Sequence, residues 1–200
     1  MNQVTDQQII EILRKEAVPA LGCTEPVACA LACAKCKEVL GGVPERLDVL
    51  VSGNIYKNGM GVGIPGTGMV GLPIAAALGA VCGKSEYGLE VLKEVNVGDN
   101  LQRAKDMLGQ VTVSLKEDAP EKLYAEALAT KGNDTVKVII AHTHTNIVLV
   151  EKNGDEIFKR EFRLDTSKPE DKGPELSVKR IWDFVHEVDV KDIEFVLQGA

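Results

Sequence analysis

The chain has 200 residues, a formal net charge of −7 and a composition that is 44% hydrophobic but only 4% aromatic. An acidic balance argues against nucleic acid or an anionic membrane as the main partner, and so few aromatics leave no base-stacking platform. The apolar content suffices for a substantial core, in one domain or two small ones, while no window is long and apolar enough to span a bilayer.

Met1-Asn2-Gln3-Val4-Thr5-Asp6 lacks the basic and apolar regions of a signal peptide. Four of the five cysteines crowd between positions 23 and 36. A secreted disulfide framework would spread them, so a reducing cytoplasm is the expected compartment.

Thr5-Asp6-Gln7-Gln8 is a capping-box pattern, followed by Ile9, Ile10, Leu13 and Ala17 at helical spacing, which predicts a first helix to about Glu16. A second helix is expected from Glu25 to Leu40, with Thr24 as its cap, Pro26 in its first turn and Gly41-Gly42 as its stop. Leu47, Val49 and Val51 alternate as in a strand. A glycine-rich loop from Gly53 to Gly71 holds seven of the 19 glycines. Leu72–Val81 is small and apolar, as in a buried helix, and helical segments are expected around Leu89–Val95 and Asn100–Leu108.

The period changes at Gln110. Val111–Leu115 and Val136–Ile140 alternate, and Gly132-Asn133-Asp134 and Asn153-Gly154 are turn signals. Residues 111–161 are therefore read as an antiparallel sheet of about five strands, with Leu123–Thr130 taken as a strand. Lys168–Gly173 reads as a linker, Ser177 as the cap of an amphipathic helix bearing Ile181, Trp182, Phe184 and Val185, and Asp189–Leu197 as a last helix. The fold class is α+β: an incomplete, mostly helical domain (residues 1–109, resumed at 171–200) with an inserted small antiparallel sheet module (110–170).

Cys23 places a thiol directly before a helix start, where free N–H groups and the helix dipole favour an anion, so a thiol there can serve as nucleophile, base or metal ligand. Cys29, Cys33 and Cys36 share one helix face, but the alanines around them mark close helix packing, and core is their default; Cys82 follows an apolar run and reads the same way. Gly61-Val62-Gly63-Ile64-Pro65-Gly66 satisfies a dinucleotide fingerprint in letters only: no second strand ending in an acid follows. It reads better as exposed backbone N–H groups suited to a small carboxylate, with Lys57 and Asn58 beside it. His142-Thr143-His144 sits on or between strands; in a strand its two imidazoles would share one face, as a metal pair does, but without a third ligand an exposed polar strand is the better account. His186 has no supporting context.

Gly22-Cys23-Thr24-Glu25-Pro26, Tyr56-Lys57-Asn58-Gly59-Met60-Gly61, Ile64-Pro65-Gly66-Thr67-Gly68-Met69-Val70-Gly71-Leu72-Pro73, Gly88-Leu89-Glu90-Val91-Leu92-Lys93 and His144-Thr145-Asn146-Ile147-Val148 occur in that order. Together they resemble the iron–sulfur L-cysteine desulfidases, relatives of the alpha part of the bacterial iron–sulfur L-serine dehydratases. The resemblance implies a lyase that converts L-cysteine and water to sulfide, ammonia and pyruvate, with L-serine dehydration as the alternative. It also implies a [4Fe–4S] cluster whose main ligands lie outside this chain, which is expected to be an N-terminal fragment.

Within that resemblance Cys23 is the candidate base or labile cluster ligand. Glu25, Asn54, Lys57, Asn58, Gly66, Thr67 and Gly68 are candidates for substrate binding, and His144, Thr145 and Asn146 for a supporting or regulatory role. A small amino acid is the expected partner, with a homo-oligomer as a further expectation. A non-catalytic amino-acid-binding module is the alternative from another class.

Overall fold

The computed structural model describes residues 4–160 and 176–198. The chain divides into two compact units, Ala20–Phe162 and Met1–Pro19 with Arg163–Ala200.

In the smaller unit, Thr5 opens helix α1 (Asp6–Glu16). Its hydroxyl accepts the Gln8 N–H at 3.3 Å and the Gln8 amide oxygen accepts the Thr5 N–H at 2.9 Å, which is the capping box legible in the sequence. Ile9 and Ile10 pack with Val4 and with Phe184. Phe184 lies on a second helix, Val178–Glu187, which Ser177 caps, and Val190–Ile193 and a 3-10 turn at Glu194–Gln198 follow. Of the apolar residues expected to cover one side of that second helix, only Phe184 is buried; Ile181, Trp182 and Val185 are exposed. The linker expected at Lys168–Gly173 lies outside the described residues.

The larger unit is a layer of helices on a six-stranded sheet. Helix α2 (Thr24–Leu40) ends where Gly41 takes a left-handed conformation at φ 73°. Helix α4 (Leu72–Val81) is buried along nearly its whole length. Small residues let these two helices touch backbone to backbone: a Cβ on Gly79 would stand 2.1 Å from the Ala30 carbonyl oxygen. Between them in sequence lie strand β1 (Arg46–Val51), the short helix α3 (Gly53–Gly59) and a hairpin of β2 (Gly63–Ile64) with β3 (Met69–Val70). The expected glycine-rich loop is thus ordered structure. Helix α5 (Asn100–Met107) packs beside α4.

The remaining strands are β4 (Val111–Leu115), β5 (Tyr124–Lys131), β6 (Asp134–Ala141), β7 (Ile147–Lys152) and β8 (Asp155–Lys159), and the sheet order is β4-β1-β5-β6-β7-β8. Leu47, Val49 and Val51 of β1, Ala125, Ala127 and Ala129 of β5, and Val136, Val138 and Ile140 of β6 form the buried face under α2 and α4.

The α+β class holds, with two corrections of architecture. The sheet is mixed, because β1 and β4 run parallel while every other pair is antiparallel. Strand β1, assigned from sequence to the helical region, lies inside the sheet between β4 and β5. The change of period at Gln110 therefore marks a return to one shared sheet, and the unit Ala20–Phe162 runs across it. The helix expected over Leu89–Val95 is instead a 3-10 segment, Ser85–Glu90, broken at Gly88, with turns after it.

A candidate active site at the start of helix α2

Cys23 is the N-cap of α2, with extended backbone (φ −70°, ψ 143°) and no side-chain cap hydrogen bond. The capping role expected of Thr24 is not the one it takes. Thr24 is the first helical residue, and its hydroxyl hydrogen-bonds His144 Nε2 at 3.2 Å, across 120 residues of sequence. One position on, the Glu25 carboxylate accepts a hydrogen bond from the Asn58 amide at 3.2 Å. Cys23 itself is exposed, whereas Cys29, Cys33, Cys36 and Cys82 are buried. Burial pushes the Cys29 thiol up to about 12 and raises Cys33, Cys36 and Cys82 as well, so these four are packing residues.

His144 comes from the turn joining β6 to β7. Burial lowers its pKa from the ordinary 6.5, opposed by the nearby Glu25 charge, so the imidazole is neutral at pH 7. The turn is braced from behind: the Asn146 amide donates to the Ala141 carbonyl at 3.0 Å, and Arg160 donates to the Asn146 side-chain oxygen at 2.9 Å. Thr145 is exposed and lines a different groove, with Lys35, Ile147 and Phe158. His142 and His144 do not form the one-faced pair that a strand would give. Both lie in the turn rather than a strand; His142 sits 3.7 Å from Glu121, and His144 faces Thr24.

The hairpin of β2 and β3 closes over the same helix start. Gly22 has φ 86°, and a Cβ there would stand 2.9 Å from Pro65 Cγ, so only glycine lets the Pro65 ring lie against the residue preceding Cys23. The Thr67 hydroxyl is turned inward, donating to the Ile64 carbonyl at 2.7 Å and accepting from the Met69 N–H at 2.9 Å. What the turn can offer a ligand is therefore the backbone of Gly66 and Gly68, both exposed. The dinucleotide reading has no support here, since its letters run from just after α3 through the two-residue strand β2 into a hairpin turn.

Lys57 is exposed on α3 beside Asn58, whereas Asn54 lines a separate groove with Ser52, Lys116 and Glu117. Sequence reasoning did not find the Thr24–His144 and Asn58–Glu25 contacts, nor the Leu21 N–H bond to the Leu89 carbonyl at 3.2 Å. No spacing rule could have found pairs this far apart along the chain; the only signal was that all these residues except Leu21, which directly precedes the first motif, lie in the segments that carry the resemblance.

The donor set does not fit a four-iron cluster held by this chain alone. Such a cluster takes thiolate ligands, and only one thiol is both exposed and near the site. Among the described residues no group of three His, Cys, Asp or Glu side chains is placed to share a metal. No helix among the described residues is long and apolar enough to cross a membrane.

The chain is similar to three curated relatives named UPF0597 protein: 46% identical to that of Parabacteroides distasonis, covering 100% of this chain and 47% of the relative, 43% to that of Bacteroides fragilis, with the same coverage, and 43% to that of Aeromonas hydrophila, covering 96% of this chain and 44% of the relative. It thus spans about half the length of the curated relatives it matches. No family model and no solved structure matches it.

Proposed function

We propose that this chain supplies the proton-abstracting part of a lyase that eliminates the β-substituent of a small L-α-amino acid: sulfide from L-cysteine, or water from L-serine in the second form of the same chemistry. One observation carries the reading. The first motif and Leu21, which directly precedes it, are touched by one residue from each of the other four motif segments: Asn58 on Glu25, Pro65 on Gly22, Leu89 on Leu21 and His144 on Thr24. Five stretches that resemble one enzyme family in sequence thus meet at the helix start that carries Cys23.

Removal of the α-proton needs a base beside the substrate, and Cys23 is exposed at the uncapped start of α2. The first N–H groups of that helix and the Gly66–Gly68 backbone suit the substrate carboxylate. Glu25, steadied by Asn58, suits its ammonium group. Loss of the α-proton to the thiolate and departure of the β-heteroatom with its bonding electrons leave an enamine. Its tautomer, an imine, takes up water to give pyruvate and ammonia. The [4Fe–4S] cluster that the resemblance implies belongs to this reading only with its main ligands outside the chain and Cys23 as at most a labile one. The unpaired thiols suit a reducing compartment.

The test is anaerobic assay of the longer protein containing this chain, reconstituted with iron and sulfide, for sulfide and pyruvate from L-cysteine and for pyruvate from L-serine. Turnover that Cys23→Ala abolishes supports the reading. Amino-acid binding without turnover of either substrate overturns it and leaves a binding module.

A further inference from the structure

The two edges of the sheet are built differently. Edge strand β8 carries Asp155, Glu156 and Lys159 within five residues, and its pairing with β7 shifts register between Val150 and Glu151. Charges, short length and a bulge are the devices that keep an edge from pairing with a neighbour. Edge strand β4 shares only the short length. Val111-Thr112-Val113-Ser114-Leu115 is uncharged, has no proline or glycine, and pairs with β1 in unbroken register from Leu47↔Val111 to Val51↔Leu115. Among the described residues no strand pairs with its outer side. Thr112 and Leu115 are exposed, Leu115 at 46%.

We propose that β4 is the surface through which two copies of this chain associate, by antiparallel pairing of β4 with β4 about a two-fold axis through Val113. The strand is complementary to itself in that register. Val111 stands opposite Leu115, Thr112 opposite Ser114, and Val113 opposite its own copy. One face then carries apolar pairs and the other hydroxyl pairs, both favourable across strands. A self-complementary patch is what a two-fold dimer requires, and an unrelated partner would not. At the ends, the register brings exposed Glu117 and Asp118 of one copy toward the Gly109–Gln110 end of the other, where Arg46 is already paired with Asp48 at 2.8 Å and Glu45 accepts from the Gly132 N–H at 3.1 Å, so the pairing rests on the strand's own complementarity.

Sedimentation equilibrium of the 200-residue chain tests this, with two double variants whose substituted positions face each other across the axis. Thr112→Lys/Ser114→Lys sets lysine opposite lysine twice, whereas Thr112→Lys/Ser114→Glu sets lysine opposite glutamate twice. The expected result is a dimer for the unaltered chain and for the lysine–glutamate variant, and loss of the dimer for the lysine–lysine variant with an unchanged circular dichroism spectrum. Should the lysine–lysine variant fail to fold, Thr112→Lys alone, at an exposed site, replaces it and should weaken the dimer. A monomeric unaltered chain overturns the proposal, as does the same association state in both double variants.

Discussion

Replacing Thr24 with valine keeps the side-chain volume and removes the hydroxyl that meets His144 Nε2 at 3.2 Å in a partly buried position. A neutral intramolecular hydrogen bond contributes about 0.5–1.5 kcal/mol net, and water can reach His144 to replace the lost partner, which puts the expected loss near ~1 kcal/mol. A domain of this size then melts roughly 3 °C lower. The informative measurement is a double-mutant cycle by urea unfolding at pH 7.5, using Thr24→Val, His144→Gln and the pair. If the two side chains hold each other as the structure has it, the pair costs less than the sum of the singles by about 0.5–1 kcal/mol. A coupling below roughly 0.3 kcal/mol, within the error of additive sites, would refute the contact and with it the convergence of the His144 turn on the start of α2.

Three further outcomes are expected. Titration of the native protein with a thiol reagent should modify one cysteine quickly, and Cys23→Ser should remove that fast phase, since the other four thiols are buried; all five should react after unfolding. Gly79→Ala should destabilise the larger unit by about 2–3 kcal/mol in urea titration, because the new methyl meets the Ala30 carbonyl oxygen on a backbone that cannot yield without parting α2 from α4. A loss under about 0.5 kcal/mol would show that the helices do not cross so closely. Stability should fall on acidification below pH 6.5: the lowered pKa of His144 means that the unfolded chain takes up its proton first, so stability rises with pH between the folded value and 6.5 and gains nothing from this group above it. His144→Gln should flatten that part of the profile, and an unchanged slope would count against the burial assigned to His144.

Much of the fold was legible because its signals are local. The capping box at Thr5 and Gln8, the alanine-rich helix ending at Gly41, the buried run Leu72–Val81 and the alternation in Val111–Leu115 each depend on neighbours within a turn or a strand. The segment Leu123–Thr130 shows how far this goes: its composition favours helix, but the turn at Gly132 makes it the first arm of a hairpin, and it is strand β5. Leu89–Val95 went the other way. Its apolar spacing suits a helix, yet Gly88 at φ 53° breaks the chain just before it.

The sequence by itself determined that the chain is α+β, that three of its cysteines sit among alanines at helical spacing in a packed helix, and that Cys23 stands at a helix start. Each of these follows from periodicity and from the steric demands of single residues. Only the tertiary structure decided that β1 joins β4 and β5 in one mixed sheet, that Thr24 answers His144 rather than capping its helix, and that Gly22 exists to admit Pro65. Strand partners and hydrogen bonds between residues more than a hundred positions apart depend on which surfaces the packing of α2, α4 and the sheet leaves facing each other. No local propensity encodes that choice.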